Sequence, residues 1–174
     1  MLMLALLFVF APDAPAPDVT VREARGVYSV SARFTVPQPP ETALAVLTDY
    51  ERIPSFMPDI RKSVVKERDG NRALIEQEAV SKLMMFSKRI YLLLEISEED
   101  GSLRFRDRGG RSFVRYEGAW RLTPCAGGTA IVYELTAQPS FDVPEFLLKR
   151  LLKRDSGEMI ERLRRAIAGR SGGL

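Results

Sequence analysis

The end of this chain breaks a pattern that most of it obeys. From residue 27 onward, apolar and polar residues alternate one by one, the repeat of strands that bury a single face. From Pro144 to about Ala168 the repeat becomes helical. Residues 27–36 show the first pattern clearly. Tyr28, Val30, Ala32, Phe34 and Val36 share one face, and Ser29, Ser31, Arg33 and Thr35 the other. Residues 19–24 read as an extension of that strand beyond Gly26.

Residues 37–40 hold three prolines and stop the strand. Residues 41–47 then read as a short helix, and 49–57 as a second short helix or turn, because Pro54 and Pro58 forbid one long helix. Strands follow at 60–67, 73–81, 89–97, 103–107, 113–122 and 131–137. Asp69-Gly70-Asn71, Asp100-Gly101, Gly109-Gly110 and Gly127-Gly128 supply the turns between them. Connections this short make neighbouring strands antiparallel.

In the last segment Leu148, Leu152, Met159, Leu163 and Ala166 fall on one stripe, with Gly169 placed to cap the helix. A sheet with one apolar face needs a cover, and this helix is the one element long enough. The expected fold is therefore α+β: a seven-stranded curved antiparallel sheet gripping a long C-terminal helix, with two short helices after the first strand. The domain is expected over residues 19–169, with 170–174 a disordered tail.

Composition removes several chemistries. The chain has 174 residues and no histidine, which excludes Ser-His and Cys-His nucleophile pairs and the commonest general base. Cys125 is the sole cysteine, so no intrachain disulfide forms and a zinc site is not expected. No metal or other cofactor is called for. The formal net charge of +3 is too small to argue for nucleic acid.

Residues 1–10, MLMLALLFVF, are an unbroken apolar run. The run is too short to span a bilayer, which takes about 20 residues, and matches the apolar region of an export signal. A Pro/Ala linker, 11–18, follows it. Export, or tethering by the N-terminus, is the expectation, with a cytoplasmic protein the alternative.

Three stretches resemble one family. Asp49-Tyr50 with Pro54-Ser55-Phe56-Met57-Pro58 after it is the first. Arg68-Asp69-Gly70 at the end of a basic strand is the second. Gly118-Ala119-Trp120-Arg121-Leu122, then a Gly-Gly turn and a Thr-x-Ile-x-Tyr-x-Leu strand from Thr129 to Leu135, is the third. Together they resemble the polyketide cyclase/dehydrase and coenzyme Q-binding branch of the START-like (SRPBCC) superfamily, over about residues 31–168. The resemblance implies a helix-grip fold with a space between sheet and helix. It also implies an apolar ligand such as a quinone, sterol, phospholipid or polyketide.

By alternation, the candidate liners of that space are Val30, Phe34, Ile75, Leu92, Phe105, Tyr116, Trp120 and Tyr133 from the sheet. Leu148, Leu152 and Met159 would come from the helix, with Phe56-Met57 and Met84-Met85-Phe86 at its rim. The plainer reading of each is core packing. Asp155 falls between Leu152 and Met159, where a carboxylate must find a partner or orient a ligand hydroxyl. Arg104, Arg106, Arg108, Arg111 and Arg115 read as a solvated outer face.

The leading function is non-enzymatic binding or transport of a lipid, quinone or isoprenoid, with transient membrane contact. The first alternative is a cyclase/aromatase-type enzyme using Asp155 or a tyrosine. The second is an interaction protein that presents its basic surface to a ribosome, RNA or membrane.

Overall fold

The computed structural model describes residues 15–83 and 86–171. The apolar run 1–10, Met84 and Met85 lie outside them. The first departure from expectation comes at once. β1 (Asp18–Ala24) is a strand of its own, paired antiparallel with β2 (Val27–Val36), so the sheet has eight strands rather than seven. The cause is the turn between them: Arg25 (φ 54°) and Gly26 (φ 78°) both take positive φ, the conformation of a two-residue hairpin loop. The Gly26 N–H donates to Glu23 Oε1 at 2.7 Å.

Helix α1 (Pro40–Leu47) starts on a proline, where the missing N–H has no helical partner to lose. A 3₁₀ turn (Tyr50–Arg52) and the single-turn α2 (Ile53–Phe56) follow. The remaining strands are β3 (Ile60–Asp69), β4 (Arg72–Leu83), β5 (Phe86–Glu99), β6 (Ser102–Asp107), β7 (Phe113–Cys125) and β8 (Gly128–Pro139). Helix α3 (Glu145–Ser171) closes the chain. It runs past Gly169, so that glycine is helical rather than a cap. Arg170 fastens the final turn, donating to the Ala45 carbonyl at 2.9 Å and Asp49 Oδ2 at 3.1 Å.

All neighbours in the sheet are antiparallel, in the order β1-β2-β8-β7-β6-β5-β4-β3. The chain thus leaves β2 and re-enters at the far edge, as β3. Helices α1 and α2 make that crossing and roof one part of the sheet, while α3 covers the other.

Gly118 pairs with Phe105 on one side and Leu135 on the other. A Cβ there would sit 2.1 Å from the Glu134 carbonyl oxygen and 2.6 Å from Phe105 Cζ. Only glycine permits that approach.

Burial divides into two main clusters. One lies beneath α3 and includes Phe34, Val36, Ile131, Ile160, Leu163 and Ile167. The other lies beneath the 3₁₀ turn and joins Tyr50 to Ala73, Ile75, Leu94, Ile96 and Leu103. On α3 the buried line runs Leu148, Leu151, Ser156, Ile160, Leu163, Ile167. It is rotated slightly from the expected stripe, leaving Leu152, Met159 and Ala166 half-buried at its margin.

Candidate ligand cavity

The two clusters do not meet everywhere. Between them lies a cavity of about 170 Å³. Its roof is Val46 and Leu47 of α1, Tyr50, Ile53 and Phe56 from the turns, and Met57 and Ile60 beyond. Its floor is Gln77 of β4, Leu94 and Ile96 of β5, Leu103 and Phe105 of β6, Tyr116 and Trp120 of β7, and Tyr133 of β8. Met159 and Leu163 of α3 close the remaining side. No charged side chain is among these residues.

Register explains why the aromatic residues converge. Trp120 pairs across the strands with Tyr133 and with Leu103, and Tyr116 pairs with Ala137. The rings of Trp120 and Tyr133 lie 4.4 Å apart, those of Phe105 and Tyr116 5.9 Å, and those of Phe105 and Tyr133 6.4 Å. Such spacings belong to packed aromatic pairs.

Polarity enters through few groups. The Gln77 amide donates to the Ser63 hydroxyl at 3.1 Å, both residues buried. The Tyr50 hydroxyl donates to Glu98 Oε1 at 2.7 Å, and Arg68 holds that carboxylate from outside. Tyr116 and Tyr133 both face the cavity. Burial pushes the Tyr116 hydroxyl up to about 12, and burial together with Tyr116 pushes Tyr133 well above the ordinary phenol value. Burial, and then the Glu98 carboxylate, raise Tyr50 as well. All three phenols are therefore neutral donors near neutral pH.

Of the residues expected to line the space, Phe56, Phe105, Tyr116, Trp120, Tyr133 and Met159 do so. Val30 and Phe34 are packed under α3 instead, with the Arg164 guanidinium over the Phe34 ring. Ile75 is fully buried in the second cluster, and Leu92 leans on that cluster from its edge. Leu148 packs with Tyr28, and Leu152 lies beside it. These six share faces with true liners, but strand alternation gives a face and not a position along it. Met85 lies outside the described residues.

Asp155 does not reach the cavity. Its carboxylate accepts from Arg154 Nε and Nη2 at 3.0 and 2.8 Å and stays half-exposed, while Ser156 takes the buried helix position. Partial burial raises its pKa and Arg154 opposes the rise. The arginines on the outer sheet are largely balanced: Arg106 and Arg108 bind Glu95, Arg115 binds Glu117, and Arg111 stacks on Tyr91 at 4.1 Å. Among the described residues no cluster of metal-ligating side chains occurs.

The alternation missed the roof, since Val46, Leu47, Tyr50, Ile53 and Ile60 come from helical turns and a strand entry. It also missed Gln77, Leu94, Ile96 and Leu103. The proline-punctuated apolar stretch 44–57 was the available signal for the roof.

Residues 36–164 match the profile of a family described as polyketide cyclase/dehydrase and lipid transport. Among solved structures, a protein of Thermus thermophilus aligns at 26% identity and TM-score 0.69, over 81% of this chain and 97% of that one. A STAR-related lipid transfer protein of Xanthomonas axonopodis aligns at 20% identity and TM-score 0.71, over 91% and 97%. An aromatase/cyclase from a Streptomyces species aligns at 13% identity and TM-score 0.71, over 85% and 99%. The last two likenesses establish the helix-grip fold. No curated protein matches the sequence.

Proposed function

From the premise that this chain belongs to the polyketide cyclase/dehydrase and lipid transport family, we propose that it binds and carries a hydrophobic molecule in the cavity between its two core clusters, without transforming it. The observation that carries the reading is the lining: apolar and aromatic, with neutral polar groups alone. Such a surface favours burial of an apolar guest and orients it by a few hydrogen bonds.

The same lining argues against the cyclase alternative. Forming a carbon–carbon bond next to a carbonyl requires a base to remove a proton. The phenols facing the cavity are held protonated, and Asp155 is turned away to Arg154. The paired charges of the outer sheet likewise weaken the RNA or ribosome alternative.

A carrier must exchange its guest with a membrane. Phe146 is 74% exposed on the first turn of α3, and Arg150 and Lys153 follow it on the same helical face. This face suits an anionic bilayer surface. The apolar run 1–10 supports a site of action outside the cytoplasm. A reporter fused after Asp18 checks this, since retention in the cytoplasm would refute export.

The test of the carrier reading is native mass spectrometry of protein purified without detergent, followed by solvent extraction. A discrete added mass is expected, and it should be lost when the cavity is filled by Met159→Trp. No added mass, and no thermal shift with quinones, fatty acids or phospholipids, would overturn the reading.

A further inference from the structure

We infer that Gln77 reads the polar end of the guest, and that the cavity selects a neutral molecule whose hydroxyl, or equivalent donor, gives a hydrogen bond to the Gln77 side-chain oxygen. The inference rests on the carrier reading and names the polar chemistry of its ligand.

Gln77 interrupts an apolar face. Ala73 and Ile75, of the same parity on β4, are buried at 4% and 0% exposure, and Gln77 is buried beside them at 9%. Alternation at that place calls for another hydrocarbon side chain. An amide there is costly unless its polar atoms find partners.

One partner fixes how the amide is turned. Gln77 pairs across the strands with Ser63 of β3 and with Leu92 of β5. Its Nε2 donates to the Ser63 hydroxyl at 3.1 Å, so the nitrogen points to β3. The planar amide then carries Oε1 away from Ser63, to the side where the leucine has no side-chain donor to offer. Among the described residues no donor reaches that oxygen. The buried side-chain atoms left without a partner there are Gln38 Oε1 and Arg164 Nε. Gln77 Oε1 is not one of them, because it is open to the cavity that Gln77 lines.

A guest that fills the cavity shields this oxygen from water. It must then supply a donor or leave a buried acceptor bare, and the second is the costlier outcome. The phenols on the wall discriminate less, since a hydroxyl turns to donate or to accept. A glutamine oxygen only accepts. An alcohol or phenol on the guest satisfies it, whereas an ether, a ketone or a hydrocarbon does not. An ammonium is excluded, because no carboxylate lines the wall to hold its charge.

Isothermal titration at neutral pH with phenol, anisole and toluene tests this on the wild type, Gln77→Leu and Ser63→Ala. An apolar cavity of about 150 Å³ takes up benzene, and this one measures about 170 Å³, a size for one-ring probes. Phenol should bind the wild type about 3- to 10-fold more tightly than anisole, the span of one net hydrogen bond. Gln77→Leu should erase that margin and bind toluene at least as well as the wild type does. Ser63→Ala frees the amide to turn its N–H groups to the cavity, and should shift the preference towards anisole. A Ser63–Gln77 pair that served packing alone would change stability and leave the preference as it was. Ser63→Ala carries the test by itself if Gln77→Leu does not fold. If phenol and anisole bind the wild type alike, or the phenol margin survives in both variants, Gln77 is not the reader and the carrier reading stands. A guest recovered by solvent extraction that has no O–H or N–H would overturn the inference in the same way. If no probe binds and native mass spectrometry finds no guest, the cavity is a packing void, and the carrier reading falls with the inference.

Discussion

The hydroxyl of Tyr50 donates to Glu98 Oε1 at 2.7 Å, joining the 3₁₀ turn after α1 to the end of β5. The same carboxylate takes Arg68 Nη2 at 3.0 Å to each oxygen, and the guanidinium lies 5.9 Å from the Tyr50 ring centre. One acid thus pins the roof of the cavity to its floor. The two halves of this arrangement differ in worth because they differ in exposure. Glu98→Ala strips a buried phenol of its acceptor and should cost about 1–3 kcal/mol. Arg68→Ala removes a half-exposed guanidinium and leaves Tyr50 its acceptor, and should cost about 1 kcal/mol. Urea unfolding of the two variants checks the order, and equal costs would mean that Tyr50 finds another partner.

Alkali should find the cavity before acid does. Tyr116 is pushed up to about 12 in the folded chain, against an ordinary phenol value of 10.0 in the unfolded one. A raised folded value means the native state holds the proton longer. The stabilisation is therefore complete below about pH 10 and is lost as pH climbs towards 12, by about 3 kcal/mol for this one group. Tyr133 and Tyr50, shifted in the same direction, steepen the fall. Unfolding free energy measured between pH 8 and 12 should drop with a slope that Tyr116→Phe reduces. An unchanged slope in that variant would mean the hydroxyl is hydrated.

The same substitution at two glycines should have opposite signs. Gly118→Ala places a methyl group against the Glu134 carbonyl at 2.1 Å, and backbone cannot swing aside as a side chain can. A loss of several kcal/mol or failure to fold is expected, and removing the Phe105 ring should not rescue it. Gly157, in the middle of α3, has nothing within 4 Å of a Cβ position. Gly157→Ala should stabilise by about 0.5–1 kcal/mol through helix propensity. Thermal melts of both variants provide the comparison.

These contrasts show what was legible in the sequence and what was not. Alternation in 27–36 and 113–122 announces strands because one face is buried and the other wet. The change of period at Pro144 announces the covering helix, and together they dictate the helix-grip fold. β1 was legible only as an extension, because Arg25 carries no sign that it will take a positive φ. The cavity was half legible. Tyr116, Trp120 and Tyr133 stand on the buried face by parity alone. Which part of a face opens into a void depends on where two clusters fail to touch, a three-dimensional fact set by Tyr50 packing with Leu94 and Leu103 while Met57 joins the other cluster. Asp155 failed for a related reason: a small rotation of α3 carries Ser156 inward and leaves the carboxylate to Arg154.

The face of α3 proposed to meet a membrane gives the final prediction. Phe146 is exposed while Leu148 and Leu151 beside it are buried, so its exposure is not fraying of an unpacked helix. Lys149 is drawn to Glu145 at 3.5 Å and Arg154 to Asp155 at 2.8 Å, whereas Arg150 and Lys153 form no ion pair among the described residues. Two free cations near an exposed ring give weak, charge-dependent docking, on the order of 1 kcal/mol per cation at an anionic surface. Co-sedimentation with phosphatidylserine-containing vesicles should retain the protein at low ionic strength and release it in 0.5 M salt, where the Debye length is about 4 Å against about 30 Å at 0.01 M. Phe146→Ser should lower the bound fraction, and Arg150→Glu with Lys153→Glu should abolish it without altering the melting temperature. Equal retention of all three proteins on vesicles would mean that the domain meets membranes by another face.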